Sequence, residues 1–95
     1  PDILSFIERS FPVEDRAEVV RVLEGAVLHD GSPADSRCQR AALVGSRGFL
    51  SDLRALVAML AVDFRDVIVA GEYEPEGADL RQVRDLCQPF EVDND

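Results

Sequence analysis

The stretch from Phe49 to Tyr73 constrains the fold more than any other part of the chain. On a wheel at about 100° per residue, Phe49, Leu53, Leu56, Leu60, Phe64, Val67 and Gly71 share one side, so the segment is expected to be a long central helix over about 49–73. The opposite side is not polar, because Ala55, Ala58, Met59, Val62, Val69 and Tyr73 lie there. A helix that is apolar nearly all round must be covered on both sides, either by neighbouring helices or by a second subunit.

Shorter periodic segments surround it. Asp2 to Arg9, which holds Ile3, Leu4, Phe6 and Ile7, reads as a short opening helix, and residues 12–28 as a second helix that starts at Pro12 and stops at His29-Asp30-Gly31. Ser32-Pro33-Ala34-Asp35 reads as the start of a third, with Cys38, Ala41, Ala42 and Val44 inward, Arg37, Arg40 and Arg47 outside or at the rim, and an end in the Gly45 to Gly48 stretch. Pro75 and Gly77 mark a turn, after which Asp79, with Gln82 three residues on, is expected to open a last helix reaching Pro89. The expected class is all-α, a compact bundle of four main helices plus a short N-terminal one, in a single helical domain over 1–95 with a flexible tail at 90–95.

Charge narrows the functional classes. The 95 residues hold 10 Lys+Arg, all of them Arg, and 19 Asp+Glu, for a net charge of −9. That balance disfavours nucleic acid and anionic membranes as partners. It is uneven along the chain, −4 over residues 1–34, +1 over 35–71 and −6 over 72–95. No apolar run is long enough to span a bilayer, and no basic N-terminal region precedes an apolar one, so a cytoplasmic location is expected.

Into the central helix the sequence inserts Asp63-Phe64-Arg65-Asp66. Arg65 has Ala61, Val62, Ile68 and Val69 three and four residues away, so no intrahelical ion pair is expected, and Asp66 falls on the second apolar side. A carboxylate there needs a partner, and Arg37 and Arg40 on the preceding helix are the nearest candidates for bidentate pairing. The segment has two readings: structural inter-helix pairs, or a contact surface for a protein partner built from Asp63, Arg65, Asp66, Glu72 and Tyr73, with Arg37 and Arg40 among its binding residues.

Three stretches carry a resemblance: Arg37-Cys38-Gln39-Arg40-Ala41-Ala42-Leu43; Gly48-Phe49-Leu50 with Leu53 and Leu56; and the run from Asp63 to Tyr73. Together they resemble a family of small uncharacterised bacterial helical proteins, with a Gln-containing Ala/Leu helix, a Gly turn and a long helix ending in Asp-aromatic-Arg-Asp-Val followed by Glu-Tyr. The resemblance implies a helical fold and assigns no catalytic residue.

Chemistry is sparse. Cys38 and Cys87 with a single histidine, His29, match no zinc spacing and imply no disulfide framework, and a Cys38–His29 nucleophile pair is disfavoured because Cys38 faces inward on its helix. Glu72, Glu74, Glu76 and Asp79 lack the spacing of a calcium loop. Neither a cofactor nor a metal is expected. The expected function is a protein interaction or assembly module, with a homodimer as one form of it; the alternatives are an acidic mimic of a polyanion that binds a basic partner protein, and a small enzyme of unknown reaction.

Overall fold

The computed structural model describes residues 2–90, and helices make up most of them. Helix α1 (Asp2–Ser10) buries Ile7, and Phe11 beyond its end donates its N–H to the Ile7 carbonyl at 3.0 Å. Arg16 finishes that helix end by donating to the carbonyls of Glu8 (2.8 Å) and Phe11 (3.2 Å), a cation on carbonyls that have no helical partner. Pro12 stands just before a 3-10 turn, Val13–Asp15, and α2 (Arg16–Glu24) comes next.

The second helix was expected to reach residue 28, but it stops at Gly25. Beyond it Ala34 donates to the Ala26 carbonyl and Leu28 to the Ser32 carbonyl, closing a small loop across a Val27–Pro33 bridge. Within that loop Asp30 accepts from the Ser32 N–H and hydroxyl, which takes the Ser32 side chain away from the capping role expected of it. Asp35 caps instead, its carboxylate accepting from the Cys38 N–H at 2.9 Å at the start of α3 (Ser36–Ser46). Arg47 and Gly48 turn the chain with positive φ, and a Cβ on Gly48 would collide with the Ser10 carbonyl.

Helix α4 (Leu50–Glu72) occupies the expected span with one difference: Asp63 has φ −153° and ψ 97° and is not helical. The helix bends there. A Cβ on Gly45 would lie 2.9 Å from Leu56 Cδ1, and one on Gly71 would lie 2.8 Å from Ala41 Cα. Leu56 and Gly71 would stand more than about 20 Å apart along a straight helix, whereas Ala41 and Gly45 are one turn apart. Both halves of α4 therefore pack on α3, and at Gly71 the two backbones approach too closely for a side chain. Phe49, expected on the buried side, precedes the helix and is 62% exposed.

The core sits where α2, α3 and the two halves of α4 meet. Val19, Cys38, Ala41, Ala42, Leu43, Leu53, Leu60 and Val67 are buried there. Alanines on α3 set the close approach, and leucines from α4 fill the space on either side.

The expectation of an all-α chain fails after Glu72. In place of a helix over 79–89, an antiparallel hairpin joins β1 (Tyr73–Glu76) to β2 (Asp79–Gln82), with Tyr73 opposite Gln82, Glu74 opposite Arg81, Pro75 opposite Leu80 and Glu76 opposite Asp79. Gly77 at φ 62° takes the first position of the two-residue turn, a conformation that costs glycine little. Tyr73, Pro75 and Leu80 share one face; Glu74, Glu76, Asp79 and Arg81 share the other. Residues 83–90 then run irregularly back over the body, anchored by buried Leu86 and by Phe90, whose ring stacks on Phe6 at 4.3 Å. Phe90 is thus held rather than frayed, while the rest of the expected tail, 91–95, lies outside the described residues.

Candidate functional site

The Asp63-Phe64-Arg65-Asp66 segment is explained by the bend. Asp63 has the extended backbone of an N-cap, and its carboxylate accepts from the Arg65 N–H at 3.1 Å, so it caps the second half of α4. Asp66, three residues on, lies in the positively polarised first turn of that half. Because Asp63 is not helical, Arg65 reaches its carboxylate at 3.6 Å, contrary to the expectation of no ion pair, though with Arg65 80% exposed the contact is weak. Asp66 is exposed and has no arginine partner among the described residues. The Asp63 region borders a shallow depression of about 370 Å³ shared with His29 and Val62.

Arg37 and Arg40 do pair with carboxylates, but not with Asp63 or Asp66. The Glu72 side chain is completely buried and accepts from Arg37 Nε (2.9 Å) and Nη2 (2.8 Å), Gln82 Nε2 (3.3 Å) and the Leu86 N–H (3.0 Å). These donors, the Arg37 guanidinium first, hold the Glu72 carboxyl below its usual range against the opposing effect of burial, and Glu72 in turn raises Arg37. Its own carbonyl accepts from the Val83 N–H, and Arg84 donates to the Gly71 carbonyl. Arg40, expected at the rim, is buried between Asp2 (2.9 Å) and the Leu86 carbonyl (3.0 Å). Asp2, which also accepts from the Phe90 N–H, is likewise lowered by Arg40. This buried cluster ties the C-terminal run to α1, α3 and α4.

Above the cluster the apolar face of the hairpin leans over the second half of α4 and leaves two clefts. One, about 480 Å³, is floored by Phe64, Ile68, Val69, Tyr73 and Leu80, with Arg37 and Arg65 at its edge. The other, about 590 Å³, brings the same Val69, Tyr73 and Leu80 together with Leu56 of the first half, with Arg47 and Arg84 at its edge. Leu80 is 58% exposed and Val69 39%. Of the residues expected to form a contact surface, Arg37, Arg65 and Tyr73 meet in this groove and Glu72 lies beneath it; Asp63, Asp66 and Arg40 serve elsewhere. Leu80 and Val69 are the groove's exposed large apolar side chains. Leu80 falls within the segment expected as the last helix, although its alternation with Asp79 and Arg81 is a strand signal.

The thiols give no sign of nucleophilic chemistry. Burial, and then Asp35, push the Cys38 thiol up to about 12, and Cys87 is exposed with its thiol also raised. Among the described residues no three His, Cys, Asp or Glu side chains converge to hold a metal ion, and no helix is long and apolar enough to cross a membrane. No family model, curated protein or solved structure matches this chain.

Proposed function

We propose that the protein is an interaction module that binds a protein surface through the groove between its hairpin and the second half of α4. The observation that carries this is the joint exposure of Val69 and Leu80, which line both clefts together with half-buried Tyr73. Apolar side chains gathered in this way are favourable to cover, and fixing them on a helix and a hairpin already tied down by Glu72 lowers the ordering cost of binding. Four arginines, Arg37, Arg47, Arg65 and Arg84, line the groove against one carboxylate, Glu74, although the chain carries −9 overall. A partner with an apolar residue flanked by carboxylates complements it better than a basic one does, which favours this reading over polyanion mimicry.

A photo-cross-linking side chain placed at Val69, with one at exposed Glu14 as control, tests the reading in cells of the source organism. Adducts at position 69 that Leu80→Asp abolishes are the expected outcome. Equal adducts from both positions, or none from position 69, refute it.

A further inference from the structure

The two edges of the hairpin are not equivalent. Glu76 and Asp79 flank a two-residue turn, and the Val83 N–H donates to the Glu72 carbonyl at 2.8 Å, so the even-numbered residues of β1 and the odd-numbered residues of β2 exchange the hydrogen bonds between the strands. Tyr73 and Pro75 thus point their backbone groups out of one edge, and Leu80 and Gln82 out of the other. The β1 edge has no donor to offer, since the Tyr73 N–H is taken by the Val69 carbonyl and Pro75 has none. The outward N–H and C=O groups of the β2 edge have no backbone partner among the described residues, and all four of its residues are exposed. Proteins usually blunt such an edge; Pro75 blunts β1 by removing a donor, whereas β2 keeps its donors and carries Asp79 and Arg81, which restrict the strand that can pair with it.

The side chains of β2 select what can pair there. We infer that the partner is a second copy of this chain, joined β2 to β2 in antiparallel register about a two-fold axis at Leu80. In that register Leu80 faces the other Leu80 through their outward backbone groups, and Asp79 of each copy lies directly opposite Arg81 of the other, twice. Within one copy Asp79 faces Glu76, a like charge, while Arg81 turns to Glu76 at 3.1 Å, so Asp79 has no cation of its own among the described residues. The second copy supplies it. Shifting the register by two residues removes both opposite-charge pairs, and centring it on Arg81 sets the two guanidinium groups against each other. The four-stranded sheet so formed lays its Leu80 pair on the face turned toward Val69 and Tyr73, so the interface continues into the groove. The inference rests on the reading of that groove as an association surface and names its occupant.

Sedimentation equilibrium on the full chain, with a three-variant charge cycle, tests it. Asp79→Arg opposes two arginine pairs and is expected to weaken dimerisation by about tenfold or more. It also removes the repulsion with Glu76, so the monomer's thermal stability is expected to hold or rise, which separates lost association from lost folding. Arg81→Asp weakens dimerisation similarly, and the double variant Asp79→Arg with Arg81→Asp restores it to within about threefold. A wild-type chain that stays monomeric overturns the inference while leaving position-69 adducts to another protein as support for the groove. A dimer insensitive to all three variants but broken by Val69→Asp overturns the strand pairing and keeps the groove; a double variant no better than the singles overturns the register.

Discussion

Two sets of charges, made of the same residue types, are handled in opposite ways. Glu72, with Arg37 partly exposed beside it, and Asp2 with Arg40 are largely withdrawn from water, and each carboxylate collects a guanidinium together with a backbone donor from the C-terminal run. Asp63, Arg65 and Asp66 stay at the surface, where Asp63 acts through one backbone N–H two residues away. The first set joins elements distant in sequence, Arg37 to Glu72 across 35 positions. The second acts within one turn of helix. Burial makes the first set costly to disturb, because a group left behind loses both its partner and its water, whereas solvent stands ready to replace any partner of the second.

The contrast is sharpest at Glu72. Replacing it with Ala strands the buried Leu86 N–H and leaves Gln82, which is exposed, and Arg37, which is partly exposed, to rehydrate. Breaking such a buried pair costs about 3–5 kcal/mol, and the partial exposure of Arg37 points to the low end, about 3 kcal/mol. For a domain of this size that lowers the melting temperature by on the order of 15 °C, measurable by calorimetry. Acid provides a second readout. Glu72 and Asp2 both have lowered folded-state pKa values, so their stabilisation is complete above the ordinary carboxylate range of about 4 and is lost as pH falls through the folded values. A Glu72→Gln variant, which cannot titrate there, is expected to show a shallower decline in stability below about pH 4; an unchanged decline would place the effect elsewhere.

Asp63 should cost less. Replacing it with Ala removes an N-cap and leaves the Arg65 N–H to water, about 1 kcal/mol. Hydrogen exchange sharpens this: the amides of Arg65 and Asp66 are expected to exchange faster in the variant while those in the first half of α4 keep their protection. Uniformly faster exchange along both halves would mean that Asp63 holds the bend itself and does not simply cap the second half.

Much of the architecture was legible in the sequence because it rests on local periodicity. The inward residues Cys38, Ala41, Ala42, Leu53, Leu60 and Val67 repeat at helical spacing and are buried as expected. That arginines of α3 would seek carboxylates was legible too, but which ones was not, since the choice depends on a bend and on the path of the C-terminal run. Two similar signals misled in opposite directions. Asp79 with Gln82 has the spacing of a helix start, yet Gly77 in a tight turn and the pull of Glu72 on the Val83 and Leu86 amides make it a strand with an irregular run after it. Asp63 with Asp66 has the same spacing, and there it does start a helix, hidden because the apolar stripe continues at the same period on both sides of the bend. The groove was only half legible, as Arg37, Arg65 and Tyr73 come together through the hairpin that helical periodicity concealed.

The smallest expected effect is at Asp66, and it decides most directly whether the exposed set has any structural task beyond its cap. The side chain is exposed, has no arginine partner among the described residues, and gains only from the positive end of the helix half that Asp63 opens. An exposed charge in that position contributes about 0.3–1 kcal/mol at low salt and less as salt rises. Asp66→Ala is therefore expected to lower the melting temperature by no more than a few degrees, with the difference shrinking between about 10 mM and 500 mM salt. A loss as large as that of Glu72→Ala, insensitive to salt, would mean that Asp66 is drawn into a buried pair when the protein associates, and the division between the two charge sets would then hold for the single chain alone.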